Sequence, residues 1–307
     1  MGTFISCDWG TSTFRLRLID AEKKEIISEL ISEEGISETY QQWKASDRPE
    51  AERIHFYQNI LNGSISKLGG AVDIATPVIL SGMASSSIGL TELPYRKFPF
   101  TWNPSEFLIE KTEGDKNFSH PLLIVSGFKT ETDVMRGEET LLLGCDVTGD
   151  EERVYIFPGT HSKHVFVKNR RGVDFKTYMT GEVFNLLAEK SLLRNAVMKG
   201  NNEKSFMEGF KEGMDNNILH VAFMVRTRHL LQNTDTISNY QFLSGLLIGT
   251  ELRELKENNC PVYIVCTENL KQAYMSGLKL NGKREIHYLN ADEMLVRGHC
   301  KIADEYL

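Results

Sequence analysis

The feature that most constrains this chain is a pattern that occurs twice. Residues 4–7 form a short apolar run ending at Asp8, and a turn of Gly10, Thr11, Ser12 and Thr13 follows. Residues 14–19 then alternate, with Phe14, Leu16 and Leu18 on one face and Arg15 and Arg17 on the other. Glu22, Lys23 and Lys24 turn the chain into a third run, 26–30. Period-2 alternation with turn punctuation predicts a β-meander. The pattern returns in the second half. Residues 154–157 read as a strand, 158–162 as a Gly/Thr turn, 164–167 as a second strand, and 169–172 turn into a third strand ending near Tyr178. Two half-chains that open alike imply an internal duplication with a cleft between the halves.

Length agrees, because 307 residues exceed what one core of ordinary size holds together. Helical patterns cover 51–68, 132–143, 181–193, 220–232 and 238–256. Short apolar strands at 78–80, 122–125 and 262–265 alternate with them, predicting an α/β fold with both sheet faces covered. The polar stretch 146–153, with Gly149, marks the boundary, giving domains 1–148 and 149–307. The last helix is free to pack back on the first domain.

Composition narrows the partners. The net charge is −7 and no basic block is dense enough to track a phosphate backbone, so nucleic acid is not expected. No run approaches the ~20 apolar residues of a membrane span, and the first residues carry no basic leader pattern, so the expected location is the cytoplasm. Five scattered cysteines without a CxxC pair fit reduced thiols rather than disulfides or zinc. The assembly stays open, a homodimer being one alternative.

Both Gly/Thr turns suit phosphate. A loop of glycine and hydroxyl residues after a buried strand presents backbone N–H groups to phosphate oxygens. In the first loop, Asp8 at the strand end adds a carboxylate suited to Mg²⁺. In the second, Gly159, Thr160, His161 and Ser162 are followed by Lys163, a point cation. Taken singly, such a turn is more often a plain hairpin; two at matching positions are more specific. Neither is a P-loop, since GxxxxGK[ST] does not occur.

The stretch DWGTSTFRLRLID resembles the phosphate-1 motif of the actin/hexokinase/Hsp70-type ATPases. VMRGEETLLLG (134–144), PGTHSKHV (158–165), MTGEVFNLL (179–187) and FLSGLLIGTE (242–251) resemble the 2-dehydro-3-deoxygalactonokinase (2-keto-3-deoxygalactonate kinase) family, in the family's order and over nearly the whole chain. The resemblance implies two ribonuclease H-like (actin-like ATPase) domains around a cleft, with ATP and Mg²⁺ as cofactors. It also implies transfer of a phosphoryl group to 2-dehydro-3-deoxy-D-galactonate, giving the 6-phosphate for galactonate breakdown. Similar proteins tend to have a Gly/Ser turn after strand 262–265, where this chain has Cys266, Thr267, Glu268 and Asn269; Thr267 is the nucleotide candidate there.

Roles follow from what phosphoryl transfer needs: positioning, charge neutralisation and a proton acceptor. Asp8 is the metal candidate. Gly10, Thr11, Ser12, Thr13, Gly159, Thr160, His161 and Lys163 are the phosphate candidates. In related sugar kinases the base sits beside a glycine at the start of the helix ending the first domain. Glu138, after Gly137, therefore leads, with Asp133 and Glu139 as alternatives or as a solvated helix start. A substrate carboxylate suits an arginine fork, from Arg15 or Arg136; Arg17 reads as a surface residue. Ser81, Gly82 and Met83 follow a buried strand at its carboxyl end, where α/β folds place ligands, or else belong to a serine-rich surface loop. His161 and His164 fall on opposite strand faces, so they do not pair on a metal. Glu182 reads as a contact at a helix start or as a residue near the nucleotide, and Gly245 and Gly249 as close helix packing or, second, an approach to adenine. Rival readings are another sugar or sugar-acid kinase of the superfamily and a non-catalytic actin-like protein. A sugar-responsive repressor would need a helix-turn-helix ahead of the first strand.

Overall fold

The computed structural model describes residues 2–69 and 72–307 and divides into two compact units. Unit 1 comprises 1–149, 170–174 and 291–307; unit 2 comprises 150–169 and 175–290.

The predicted meander opens unit 1 as Thr3–Trp9, Phe14–Asp20 and Glu25–Ser32, paired antiparallel. Thr3–Trp9 also pairs in parallel with Val78–Gly82, which pairs in parallel with Leu122–Val125; Ile109–Thr112 closes that edge antiparallel. Alternation does the work expected of it: Ile5, Cys7, Trp9, Phe14, Leu16 and Leu18 enter one core with Tyr57, Leu61 and Ile65 of the helix Arg53–Ile65. The helix Ala291–Tyr306 belongs to this unit and lies backbone to backbone on Glu138–Gly144. A Cβ at Gly144 would meet Met294 O at 1.8 Å, and one at Gly298 would meet Thr140 O at 2.1 Å.

The sheet of unit 2 runs Ile286–Asn290, Val262–Cys266, Arg153–Phe157, Ser162–Lys168 and then Arg171–Tyr178, of which the residues from Phe175 on belong to this unit. Arg153–Phe157 is antiparallel to Ser162–Lys168 and parallel to Val262–Cys266, as Thr3–Trp9 is to its own neighbours. Third, second and first strands followed by two parallel strands is thus the order in both units, which is the repeat seen in the sequence. The helices Glu203–Asp215 and Thr236–Leu252 are capped by Asn202 and Asp235, whose carbonyl and carboxylate oxygens accept from Ser205 N and Ser238 N. Gly209, Gly213, Gly245 and Gly249 let these helices touch. A Cβ at any of them would come within 2.3 Å of a carbonyl oxygen of the facing helix.

Two local expectations fail. No helix spans 132–143: Val134–Met135 is a short strand paired with Phe128–Lys129, and the helix begins at Glu138. Gly137, at φ +111°, breaks any helical path through it. Arg17 is not on the surface; it is 2% exposed, held between Glu29 (2.8 Å) and Asp292 (2.6 Å).

Candidate active site

In unit 1, strand register sets Asp8 beside Arg15 on one neighbour and Ser81 on the other. Arg15 Nη1 donates to Asp8 Oδ2 at 3.0 Å and to Thr13 Oγ1 at 3.2 Å, so one side chain ties the metal candidate to the end of the Gly10–Thr13 turn. The turn is closed by Gly10 N–H on Thr13 O and is backed by Gly35, whose Cβ position lies 2.4 Å from Thr11 O. Ile36 N–H and Ser37 N–H donate to Gly10 O and Thr11 O, so both carbonyls are satisfied within the unit. Thr11 is half-buried and Ser12 exposed. Burial pushes the Asp8 carboxyl above its ordinary value, with Arg15 opposing.

Gly82 and Gly137 bring the next elements against Asp8. A Cβ at Gly82 (φ +82°) would lie 2.8 Å from Trp9 O and 3.1 Å from Asp8 Oδ1; one at Gly137 would lie 3.4 Å from Gly82 Cα. The start of Glu138–Gly144 therefore sits over the end of Val78–Gly82. There two carboxylates cap backbone donors: Glu138 Oε2 accepts from Arg136 N at 3.1 Å, and Glu139 Oε2 from Gly137 N at 2.6 Å. Glu138 is half-buried, whereas Glu139 is fully buried. Burial, then the neighbouring Glu138, push the Glu139 carboxyl up to about 8. Asp133 lies before the short strand and accepts from Val134 N at 2.8 Å.

The serine-rich segment is built in rather than loose. Ser81, Ser85 and Ser86 are at most 5% exposed. Arg136 clamps it, Nη1 donating to Ser85 O at 2.5 Å and Ser85 Oγ at 2.6 Å, with its guanidinium 4.1 Å from the Tyr95 ring centre. Ser81 Oγ and Ser6 Oγ hold the two ring nitrogens of His299 at 3.1 and 2.7 Å. Burial drives that imidazole down to about 3, so it stays neutral. Met83 is half-buried at the head of the segment.

In unit 2, Gly181 packs on the second loop: its Cβ position is 2.5 Å from Gly159 O and 2.8 Å from Thr160 Cα. Glu182 N–H donates to Thr160 O at 3.0 Å, and the Glu182 carboxylate bonds His161 Nε2. Lys163, 4% exposed, donates Nζ to His161 O at 2.8 Å. His164 is fully buried within the strand Ser162–Lys168, while His161 lies in the turn before it with its side chain 42% exposed. Thr267 precedes the helix Glu268–Leu280 and its hydroxyl donates to Asn269 Oδ1. Sequence reasoning gave no role to Glu251, which is 2% exposed and joins His164, Thr180 and Tyr274. A lone acid ending an apolar helical run was the available signal.

Two units of one strand order, each with a Gly/hydroxyl turn between its first two strands, define the actin-like ATPase and sugar-kinase class. The same fold is found in the activator of 2-hydroxyisocaproyl-CoA dehydratase from Clostridium difficile, with a TM-score of 0.50 at 10% identity over 99% of this chain and 95% of that one. Within the class, the chain belongs to the 2-keto-3-deoxy-galactonokinase family, whose model matches residues 8–302. A "Probable 2-dehydro-3-deoxygalactonokinase DgoK1" of Rhizobium meliloti is 29% identical, over 97% of this chain and 95% of that protein. The 2-dehydro-3-deoxygalactonokinase of Escherichia coli is 34% identical over 59% of this chain and 62% of its own. A crystal structure of a "putative 2-dehydro-3-deoxygalactonokinase protein" from Sinorhizobium meliloti superposes with a TM-score of 0.85 at 28% identity, covering 99% and 96% of the two chains.

Proposed function

We propose that this protein is an ATP-dependent kinase that converts 2-dehydro-3-deoxy-D-galactonate to its 6-phosphate in galactonate catabolism. The observation that carries the reading is the family match over residues 8–302, which spans Asp8, Glu138 and both Gly/hydroxyl turns. In sequence the chain divides as 1–148 and 149–307, with the last helix joining the first part.

In unit 1, Asp8 supplies a hard oxygen ligand. Magnesium sites commonly use one or two carboxylates, with water and substrate phosphates completing the shell. Among the described residues no group of three or more His, Cys, Asp or Glu is placed to hold a metal ion. Bound Mg²⁺ would neutralise phosphate charge. Gly10 and Gly159 close their turns through their own N–H groups, so the residues between, Thr11 and Ser12 in one loop and Thr160 and His161 in the other, turn backbone N–H groups to phosphate oxygens, with the Lys163 ammonium on His161 O behind the second. Arg15 reads the sugar-acid carboxylate while holding Asp8 in place. Gly82 and Met83 border the acceptor site, with Ser81 and Arg136 fixing the segment behind them. Glu138, the half-buried acid beside Gly137, accepts the proton of the sugar hydroxyl, and Thr267 lies toward the nucleoside. A kinase that draws on ATP is read as working in the cytoplasm, where that nucleotide is plentiful; no helix among the described residues is long and apolar enough to cross a membrane.

The test is ADP release by the purified protein across a panel of 2-keto-3-deoxy sugar acids with Mg·ATP. Highest kcat/KM on the galacto-configured acid is expected. A clear preference for another sugar or sugar acid would move the protein to a neighbouring substrate, and ATP binding without turnover on any acceptor would make it non-catalytic.

A further inference from the structure

The second loop is wired to a buried acid that the proposed chemistry does not use. Glu251 lies near the end of the helix Thr236–Leu252, within FLSGLLIGTE, and its carboxylate takes three side-chain donors. His164 Nε2 lies 2.9 Å from Oε1; Thr180 Oγ1 and Tyr274 Oη lie 2.5 and 2.7 Å from Oε2. Glu251 and His164 are 2% and 0% exposed, so the group is out of water. A carboxylate in such a place is kept only by several well-formed hydrogen bonds.

Counting donors fixes the direction of the chain. An ionised carboxylate only accepts. Tyr274 has one hydroxyl proton, and it goes to Glu251; burial and then Glu251 push that phenol well up, so the proton stays. Ser162 Oγ, 3.0 Å from Tyr274 Oη, must therefore donate to it and is left to accept. Its available donor is Gly159 N–H, at 3.3 Å. The series Gly159 N–H to Ser162 to Tyr274 to Glu251 thus runs one way, from the loop backbone to the buried charge. His164 joins the group through Nε2, while its Nδ1 is buried without a hydrogen-bond partner among the described residues.

The same carboxylate reaches the other wall of the loop. Thr180 opens the helix Thr180–Asn185, next to Gly181, which packs on Gly159 and Thr160, and Glu182, which holds Thr160 O and His161. One charge therefore fixes both the loop and the helix start lying over it. We infer that Glu251, acting through Tyr274 and Thr180, is the positioning residue that sets the phosphate-binding geometry of Gly159–Lys163. This rests on the reading of that loop as a nucleotide-phosphate site. Glu251 touches no phosphate itself; its contribution is to hold backbone donors still, which hydrogen-bonded networks in low dielectric do well.

The test uses Tyr274→Phe, which removes one hydroxyl and keeps the ring, together with Glu251→Gln. Calorimetric titration with Mg·ADP and steady-state kinetics are read on each, with melting temperature as the check on folding. Tyr274→Phe is expected to weaken ADP binding and raise KM for ATP on the order of tenfold, from a broken charge-linked hydrogen bond. KM for the sugar acid should stay at the wild-type value. Glu251→Gln should do the same or more; should it fail to fold, Tyr274→Phe decides alone. A Tyr274→Phe protein that melts earlier but binds ADP like wild type would overturn the inference, leaving the network a structural tie. The two readings separate cleanly. An active wild type with an unshifted Tyr274→Phe loses the positioning role and keeps the kinase. A wild type inactive on every acid, whose ADP affinity still falls in Tyr274→Phe, keeps the positioning role and loses the substrate.

Discussion

Arg15 and Asp8 face each other across adjacent strands, with Nη1 3.0 Å from Oδ2 and side chains 25% and 20% exposed. The arginine is thus committed on one edge to the acid proposed for the metal, and its Nε is 3.9 Å from Asp292, which also holds Arg17. Arg15 and Asp8 form one ion pair, and their variants should behave differently from those of isolated residues.

Asp8→Asn should leave the fold and ATP binding intact and abolish most turnover, because a carboxamide is a poor Mg²⁺ ligand. Since burial raises the wild-type carboxyl, metal-dependent activity should begin to fail on acidification at a higher pH than for a free aspartate. Turnover against pH and against Mg²⁺ concentration reads both effects. Wild-type turnover in Asp8→Asn would remove Asp8 from the metal site.

Arg15→Lys and Arg136→Lys should separate substrate reading from support. A lysine at 15 offers a point charge instead of a fork, so KM for the sugar acid should rise and kcat/KM fall. Arg136 spends its guanidinium on Ser85 and Leu93 O and stacks on Tyr95. Its lysine variant should therefore lower the melting temperature, at a cost of about 1–3 kcal/mol for unmet buried groups. A normal KM in Arg15→Lys with a raised one in Arg136→Lys would reverse the assignment.

What the sequence disclosed follows from what is periodic. The meander of unit 1 and its counterpart in unit 2 were legible because each strand alternates and each turn carries Gly, Asn or charged residues. Gly245 and Gly249 were legible as packing glycines for the same reason. Asp133 to Gly137 misled because a helical pattern of apolar residues says nothing of the positive φ at Gly137. Arg17 looked solvated because its partner Asp292 lies far along the chain. Glu251 was silent for a similar reason: its partners come from three other elements.

Glu139 provides a stability test with a definite sign. Its carboxyl lies at about 8 in the folded protein against an ordinary 4.5, so the native state binds the proton more tightly than the unfolded one. This contribution is fully present below about 4.5 and is lost as pH rises toward 8. The melting temperature of the wild type should therefore fall relative to Glu139→Gln between those values. Parallel curves for the two proteins would mean that Glu139 is already ionised in the fold.

The proton acceptor is the sharpest question, and the structure changes how it is asked. Asp133, Glu138 and Glu139 are not three positions on one helix. Asp133 precedes a short strand, Glu138 opens the helix, and Glu139 is buried beneath it on Gly137 N–H. Of the two helix-start acids only Glu138 is partly open to solvent, which a group that takes a proton from a substrate hydroxyl requires. Positioned general bases contribute about 10²–10⁴-fold, so Glu138→Gln should lower kcat by roughly that factor with ATP binding nearly unchanged. Asp133→Asn should lose far less, because its carboxylate serves the backbone at Val134. Single-turnover rates, with Mg·ATP prebound, isolate the chemical step from product release. A dead Asp133→Asn beside an active Glu138→Gln would move the base to Asp133. Loss of the chemical step in Glu139→Gln alone, with its fold retained, would mean that the helix start opens on substrate binding and brings the buried acid to the hydroxyl.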